Sequence, residues 1–491
     1  MFLRDEQKDA IGLTFILNEI LPDSPYSDIR TRNAKFYRAD EKQELLDEFY
    51  NISQILACVE ADGDCIAALR RALMPFKNID NILKKLERSY LHEIEFFDLK
   101  GFMLSLGKLK GAFSDANIRL MDVEFIDMEE ALNILDPDSK RMAPFYLNEQ
   151  YSEELWDVRK EKSRIERLIH EEKDKGKLEE LKTKRTFIVA KEDEAETVVK
   201  KMLSEKLCEF LPVFRSNINA IGKLDFTIQK AILAKKYNAV CPDIEEDSVE
   251  FVEMLNPEVE AVLKERGKSF TPISIKLSAG TTLLTGANMG GKSVAVKTAV
   301  LNICLCHMGF FVFAKRAKIP IFDGIYLISE DMQSLEDGLS TFGAEIMSFN
   351  SIARQAEKEY LFIALDEFAR STNPEEGAVV VRAVSRFLNT LKSISIITTH
   401  YDNIAEGNFG QYQVAGLKNL DFENLAKEIE NSTSTSKGID LIAAHMDYRL
   451  IPVSGKNEPP RDALNICRLL GTPHQIMNAI EEGYINNTPK I

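Results

Sequence analysis

The segment from Gly286 to Ser293 combines the residue types and the spacing of a phosphate-binding loop. It reads GANMGGKS, which fits GxxxxGK[ST], and it follows an apolar run and precedes a helical pattern. Glycines let the backbone curl so that N–H groups point at phosphate oxygens, and a helix start adds a positive dipole end. Lys292 is expected to pair with the β- and γ-phosphates, and Ser293 to hold Mg²⁺. We therefore predict a site for ATP and Mg²⁺, with the nucleotide-binding residues Gly286, Asn288, Met289, Gly290, Gly291, Lys292 and Ser293.

Two acids, Asp366 and Glu367, end the apolar run YLFIALDEF. In an open α/β sheet, carboxylates at the carboxyl end of a buried strand lie beside the phosphate loop. Asp366 then suits the Mg²⁺ shell, and Glu367 is placed to polarise an attacking water. An ordinary charged strand end is the alternative. Together with the lysine, these acids predict hydrolysis of ATP to ADP and phosphate.

Two more segments carry residues that suit a γ-phosphate. The apolar run SISIITTHYD reaches His400, whose imidazole would contact that phosphate or orient the water, unless it only caps the strand. Gly338, Ser340 and Thr341 open a predicted helix in LEDGLSTFGAEI, where small hydroxyl residues suit phosphate binding and plain N-capping equally. Both alternatives stay open at the level of the sequence.

Composition excludes several classes of protein. The formal net charge is −16 and the sequence pI about 5.1, the wrong sign for a protein whose whole surface binds nucleic acid. Seven cysteines without CxxC spacing indicate buried reduced thiols, and six scattered histidines suggest no metal-ligand cluster. The acidic N-terminus does not resemble a signal peptide, and the longest apolar stretch falls short of the ~20 residues that a bilayer span needs. We therefore expect a cytoplasmic protein.

Helical and α/β patterns divide the chain. Apolar residues recur at helical spacing in residues 1–133, predicted as the first part of a helical core, and 134–150 is predicted as a linker. Residues 151–215 predict two long helices folded back on each other as a lever, and 216–248 a helical return to the core. From 249 to 491, apolar runs such as GFFVFA and SISIITTH alternate with helical segments, and two helices close the domain. The predicted fold is an α/β P-loop ATPase joined to an all-α core with a long antiparallel helical lever.

The tip of the predicted lever, Glu171 to Arg185, is almost entirely charged. Its six basic and five acidic residues leave a net charge of +1. That is a weak electrostatic footprint for gripping phosphates. A solvated, partly disordered charge run is the alternative to a helical tip.

The order of the chemical segments resembles the ATPase domain of the MutS family. The run TGANMGGKS is followed by EDMQSLEDGLSTFGAEI, ALDEFARSTNPEEG and TTHY, and the resemblance is strong over residues 217–480. Family members are ABC-type ATPases that work as dimers, which implies a homodimer or a heterodimer with a related subunit. The resemblance also implies that Gly338, Ser340 and Thr341 complete the partner's site in trans, and that Phe270 stacks on adenine. Its implied phosphate, Mg²⁺ and water contacts are Lys292, Ser293, Asp366, Glu367 and His400.

Four positions depart from the family pattern. Ala287 stands where a proline is usual and Val294 where a threonine is usual. Ala369 and Ser371 replace glycines of the segment called the D-loop. These departures concern the details of dimer contact rather than nucleotide binding.

The client of such an ATPase is open to two interpretations. Mismatch-repair members carry an N-terminal mismatch-reading domain, for which we find no room before the helical core. The architecture resembles instead the MutS-related ATPases that reactivate aminomutases, and with the acidic charge this favours a protein client that is gripped and released. The alternative is a protein of mismatch repair or recombination that binds mismatched or branched DNA. We expect DNA binding to be weak and without preference for mismatches, and no membrane partner.

Overall fold

In a computed structural model the chain forms two compact units. The structure describes residues 3–32, 34–61, 63–286, 291–329, 341–401, 404, 409–416, 447–453, 464, 467 and 472–486. The sheet unit comprises Met1–Ile20, Ala34–Ser53 and Ile232–Ile491, and the helical unit comprises Leu21–Asn33 and Gln54–Ala231. The domain boundaries that the sequence analysis gives stay predictions.

Among the described residues before Ser248 the regular elements are helices, as the apolar spacing predicts, and the first strand begins at Ser248. The helices are α1 (Asp5–Ala10), α2 (Leu13–Asn18), α3 (Pro25–Arg32), α4 (Lys42–Ala61), α5 (Gly63–Leu73), α6 (Asp80–Leu86), α7 (Glu93–Asp115), α8 (Glu129–Leu135), α9 (Glu153–Glu171), α10 (Lys175–Cys208), α11 (Leu211–Lys236), α12 (Pro257–Glu265), α13 (Lys292–His307), α14 (Thr341–Ala356), α15 (Pro374–Asn389) and α16 (His474–Asn486), with short 3₁₀ turns at Ala39–Glu41 and Glu149–Tyr151. The strands are β1 (Ser248–Met254), β2 (Ile273–Ser278), β3 (Gly280–Thr285), β4 (Arg316–Lys318), β5 (Gly324–Ile328), β6 (Leu361–Leu365), β7 (Ile394–Thr398), β8 (Gly410–Gly416) and β9 (Asp447–Pro452).

In the helical unit, α9 and α10 form an antiparallel hairpin. Arg159, near the start of α9, pairs with Glu192 and Glu196 of α10, whereas Glu166 pairs with Arg185, which is nearer the start of α10. Because the partner moves back along α10 as the position advances along α9, the two helices run in opposite directions. The buried apolar side chains of α9 and α10 are Leu155, Ile165, Ala195, Val199, Leu203 and Leu207.

The charged tip of this hairpin is mostly helical. The Asp174 carboxylate accepts hydrogen bonds from the N–H groups of Gly176 and Lys177, at 2.9 and 3.0 Å. Such an N-cap satisfies donors that the first turn of a helix leaves without partners, so α10 begins at Lys175. The connection between the helices spans residues 172–174, and residues 175–185 belong to α10 rather than to an irregular charge run.

Among the described residues, a six-stranded sheet carries the core of the sheet unit. Its order is β5-β6-β7-β3-β8-β9, in which the first five strands are parallel and β9 is antiparallel to β8. β6 and β7, with sequences LFIAL and ISIIT, are buried at every residue. Helices cover both faces of a parallel sheet, which explains why these strands are continuous apolar runs without alternation. The prediction of an α/β class is confirmed at this level.

The apolar helix α13 lies in the core of the sheet unit, and its buried polar groups find partners inside the protein. The Asn302 side-chain oxygen accepts from the Phe313 N–H at 2.7 Å. His307 contacts the Tyr37 carbonyl through Nδ1 at 2.9 Å and accepts from the Phe322 N–H through Nε2. Burial lowers the pKa of His307 to about 4, so the imidazole is neutral at physiological pH. Among the described residues, no helix is long and apolar enough to cross a membrane.

A second, three-stranded antiparallel sheet among the described residues has the order β2-β1-β4. The run GFFVFA, which the sequence predicts as a strand, lies beside it and forms only an isolated bridge, from Val312 to Val240. Its backbone serves other partners, since the Phe313 carbonyl accepts from Leu255 at 2.9 Å. Its side chains are buried as those of a strand would be. Apolar content alone therefore did not separate a buried loop from a strand.

Candidate functional site

The predicted phosphate loop joins the carboxyl end of β3 to the start of α13. Gly286 and Gly291 have φ values of 138° and 77°, which glycine adopts without a steric penalty. A Cβ on Gly286 would lie 3.2 Å from the Val414 Cβ of the neighbouring β8, so this position also requires close approach of two backbones. Asn288, Met289 and Gly290 lie outside the described residues. The described ends of the loop thus have the strand and helix context that the motif requires.

Lys292 is the first residue of α13 and is 3% exposed. Its Nζ donates to the Gly286 carbonyl at 2.8 Å and lies 3.9 Å from Oε1 of Glu367. Burial lowers the pKa of Lys292, while the nearby carboxylates of Glu367 and Asp366 act in the opposite direction. The ammonium group is therefore held at the helix start, close to the acidic pair.

Asp366 follows β6 directly and contacts residues from two other elements. Its Oδ1 accepts hydrogen bonds from Ser293 Oγ at 3.1 Å and from Thr398 Oγ1 at 2.7 Å. Burial raises the pKa of Asp366, and those two hydrogen bonds only partly offset the rise. A hydroxyl and a carboxylate are hard oxygen donors of the kind that Mg²⁺ prefers, and a divalent cation would favour the charged carboxylate. The pair Ser293 and Asp366 therefore fits the predicted Mg²⁺ contact.

Glu367 is partly buried beside these groups, in a turn of unusual backbone geometry. Its φ is 52°, in the left-handed region, and its N–H donates to Thr398 Oγ1 at 2.7 Å. Its carboxylate pairs with the Arg370 guanidinium and faces Lys292. Strained backbone of this kind is concentrated at functional sites. The position is consistent with a group that acts on a water near the phosphates.

Of the other residues predicted for the site, the structure describes His400, Phe270 and Thr341. His400 follows β7, is exposed, and its ring centroid lies 4.2 Å from that of Tyr401. Phe270 is half-buried in the connection between α12 and β2. Thr341 is the first residue of α14, and Gly338 and Ser340 lie outside the described residues. The roles of these residues stay predictions.

Several residues at the site were not predicted from the sequence. Thr398 bridges the acidic pair, and its signal was present as a hydroxyl residue ending the apolar run SISIITTH. Glu345 and Tyr401 contact Ala369, at sequence separations of 24 and 32 residues, and no local pattern indicates such contacts. A Cβ on Gly291 would lie 3.0 Å from the Tyr448 ring, so β9 also reaches the phosphate loop.

A cleft of about 1000 Å³ lies elsewhere in the sheet unit. Its lining includes Ala279, Asp323, Tyr360 and Lys392, which stand just before the amino ends of β3, β5, β6 and β7. Asp366, Glu367 and the phosphate loop stand at the opposite, carboxyl ends of the parallel strands. Ligands of open α/β sheets bind at the carboxyl edge, so we place the candidate site there despite the size of the other cleft.

The sequence of this chain is similar to a known protein family and to several curated proteins. Residues 282–449 match MutS domain V. Endonuclease MutS2 of Lactobacillus helveticus is 25% identical over 421 residues, which cover 82% of this chain and 52% of that protein. Endonuclease MutS2 of Clostridium botulinum is 28% identical over 290 residues, with coverage of 58% and 33%, and that of Caldicellulosiruptor bescii is 30% identical over 234 residues, with coverage of 47% and 28%. The chain spans about half the length, or less, of these curated relatives.

Proposed function

The chain belongs to the MutS family, and from this premise we propose that it binds and hydrolyses ATP at the carboxyl edge of its parallel sheet and couples this cycle to holding DNA. The observation that carries the ATPase proposal is the convergence of four side chains from the start of α13 and the end of β6. Ser293 contacts Asp366 at 3.1 Å across 73 residues of sequence, and Lys292 lies 3.9 Å from Glu367.

Each of these side chains has a distinct role in the proposed reaction. The Lys292 ammonium pairs with the β- and γ-phosphates, and Ser293 and Asp366 would hold Mg²⁺, which when bound would neutralise charge on the phosphate oxygens. Glu367 orients and polarises the attacking water, with His400 as a second polar group near the γ-phosphate. Phe270 stacks on adenine. Burial lowers the pKa of Lys292 and raises that of Asp366, and an anion bound beside Lys292 and a cation bound beside Asp366 would favour their charged forms.

We now favour DNA over a protein as the client of this ATPase, although the acidic net charge suggested a protein. The relatives are named endonucleases, enzymes that act on nucleic acid, and this supports the DNA alternative over a protein client such as an aminomutase. Arg159 and Lys162 of the hairpin are engaged by Glu192, so they offer little to a phosphate backbone. Other basic residues of the hairpin are exposed and are proposed to make that contact, namely Lys160, Arg167, Lys173, Lys175 and Lys177.

A salt titration with and without ATP tests both halves of the proposal. Each phosphate contact contributes about −0.9 to the slope of log K against log salt concentration on duplex DNA. We expect binding of duplex and branched DNA at low salt with a slope of about −3, and a reduced slope when Lys173, Lys175 and Lys177 are replaced by alanine. Binding of ATP without any binding of DNA would refute the DNA half and return a protein client to first place. Absence of ATP binding would refute the ATPase half.

The proposed active form is a dimer in which Ser340 acts on the partner's ATP, as the family resemblance implies. The dimer is a homodimer or is formed with a related subunit. Mixing Ser340→Arg chains with Lys292→Ala chains tests a homodimer directly. If Ser340 acts in trans, the mixed dimer has one site with both defects and one with neither, and it recovers activity. Demonstrated mixed dimers without recovery would contradict the shared site.

A further inference from the structure

The turn that carries Glu367 contains two residues in the left-handed region. The φ values of Glu367 and Ala369 are 52° and 59°, conformations that residues with a Cβ seldom adopt. Ala369 is one of the positions where the family pattern has a glycine. A turn with this backbone persists only when its surroundings hold it in place.

Ala369 is held through both of its backbone polar groups. Its N–H donates to Oε2 of Glu345 at 3.0 Å, and its carbonyl accepts from the Tyr401 hydroxyl at 3.0 Å. Glu345 lies on α14 and is 4% exposed, and Tyr401, just after β7, is 9% exposed. Both hydrogen bonds are therefore shielded from water, where the loss of either partner leaves a buried group unsatisfied.

Packing around the same turn restricts it further. The ring of Phe368, between Glu367 and Ala369, lies 5.6 Å from that of Phe349 on α14. On the other side, a Cβ on Gly377 of α15 would lie 2.3 Å from the Tyr401 hydroxyl and 2.8 Å from the Ala369 carbonyl. Position 377 therefore accommodates no side chain while the hydrogen bond between Tyr401 and Ala369 exists.

We propose that Glu345 and Tyr401 are positioning residues for ATP hydrolysis, which fix the turn at Ala369 and thereby the direction of the Glu367 carboxylate. This inference rests on the proposed ATPase function. The backbone of Glu367 is then fixed at two points. Thr398 accepts a hydrogen bond from the Glu367 N–H, and the hydrogen bonds to Ala369 determine the path of the chain after Glu367. Since Glu345 and Phe349 both lie on α14, a displacement of that helix moves the turn. Helix α14, which begins at Thr341, one of the residues predicted to act in trans, thus controls the direction of Glu367, the proposed water-activating residue.

Four variants of the full chain, at three positions, test whether Glu345 and Tyr401 fix the turn at Ala369. Tyr401→Phe removes one hydroxyl, Gly377→Ala adds one methyl group at the crowded point, and Glu345→Ala removes the acceptor for the Ala369 N–H. We expect each to lower kcat about tenfold or more while the KM and Kd for ATP stay within about twofold, because each change acts on Ala369 and leaves the side chains of Lys292 and Ser293 in place. Glu345→Gln keeps an oxygen acceptor and is expected to recover kcat to within about threefold of the parent. Gly111→Ala in α7, where an added Cβ meets nothing within 4 Å, is the matched control for the glycine variant.

The readouts separate this inference from the proposed function. If the parent chain neither binds nor hydrolyses ATP, the proposed function fails. Hydrogen exchange of the peptide containing Ala369 still tests the hold in that case, and it should speed up in Tyr401→Phe and in Glu345→Ala. If the parent hydrolyses ATP and the variants match its kcat, or if they lose ATP affinity in the same proportion as kcat, the positioning role is overturned. Should Glu345→Ala fail to fold, Tyr401→Phe and Gly377→Ala give the answer without it.

Discussion

The candidate site and the helical hairpin both place charged side chains between packed elements, but the two regions treat the charge differently. In the hairpin, burial alone would raise the pKa of Glu192, yet the hydrogen bonds and charges of Lys162 and Arg159 lower it. In the site, burial lowers the pKa of Lys292 and raises that of Asp366, and their neighbours do not reverse either shift. The hairpin thus favours the charged form of its buried acid, whereas the site disfavours the charged forms of its lysine and aspartate.

This difference is the one expected between charges that stabilise a fold and charges that bind a ligand. In the hairpin, basic and acidic side chains of α9 form ion pairs with oppositely charged side chains of α10, and these pairs help to determine which parts of the two helices face each other. The site brings together charges that the protein itself compensates incompletely, which is typical of groups that work on a ligand. Substitutions at the two regions should therefore affect different measurements, activity at the site and stability at the hairpin.

The largest effect is expected for Glu367→Gln. The amide has nearly the same shape but cannot act as a base, and loss of one acid–base contribution typically costs ~10²–10⁴ in rate. ATP binding should persist, because Lys292 and Ser293 are unchanged. Single-turnover hydrolysis measures the loss, with Glu376→Gln, an exposed acid in the first turn of α15, as the control. Turnover at the parent rate would assign the water-activating role to another residue.

Lys292→Ala should weaken ATP binding about a hundredfold. The change removes a buried positive charge from the phosphates, and a charge-assisted hydrogen bond contributes about 1.5–3 kcal/mol. Lys315→Ala is the matched control, because Lys315 pairs with Glu253 at the surface, where ion pairs contribute little. Titration with a fluorescent ATP analogue measures both. Equal affinities for the two variants would place the nucleotide elsewhere.

At the hairpin, Glu192→Ala should destabilise the helical unit by about 2 kcal/mol, since it leaves Arg159 and Lys162 partly buried without their common partner. ATP hydrolysis should stay near the parent rate. Denaturant unfolding followed by circular dichroism measures the change, and Arg164→Ala, which breaks an exposed pair with Glu161, is expected to change nothing measurable.

The same carboxylate makes the stability of the hairpin depend on pH. The folded-state pKa of Glu192 is lowered, so its contribution is fully present above the unfolded value near 4.5 and is lost as pH falls through the lower folded value. In Glu192→Ala that part of the acid dependence should disappear. An unchanged acid dependence would show that the hairpin does not rely on this charge.

The smallest effect is expected for Thr398→Val, about a tenfold loss of kcat. Valine keeps the shape but removes the acceptor for the Glu367 N–H and the donor to Asp366. Thr398→Ser retains the hydroxyl and should stay within about threefold of the parent. Steady-state phosphate release distinguishes the pair. Identical rates for the valine and serine variants would show that the Thr398 hydroxyl has no role in hydrolysis.

Local patterns determined the elements of the site because the chemistry of phosphate binding requires local spacing. GxxxxGKS, with a strand before it and a helix after it, pointed to Lys292 and Ser293, and an apolar run ending in two acids pointed to Asp366 and Glu367. Continuous apolar runs likewise predicted the buried parallel strands β6 and β7. The same criterion mistook GFFVFA for a strand, because burial and strand pairing produce the same composition.

Contacts between residues far apart in the chain were decided only by the tertiary structure. The meeting of Ser293 with Asp366, the bridge through Thr398 and the hold of Glu345 and Tyr401 on Ala369 depend on strand order and helix placement, which no window of sequence contains. The direction of the pKa shifts is also a tertiary property, since it follows from burial and from neighbours that the fold supplies. The sequence by itself determined which residues are candidates for binding phosphate and Mg²⁺. The fold decided which buried charges are balanced by neighbouring opposite charges, as Glu192 is in the hairpin, and which are balanced only in part, as Lys292 and Asp366 are in the candidate site.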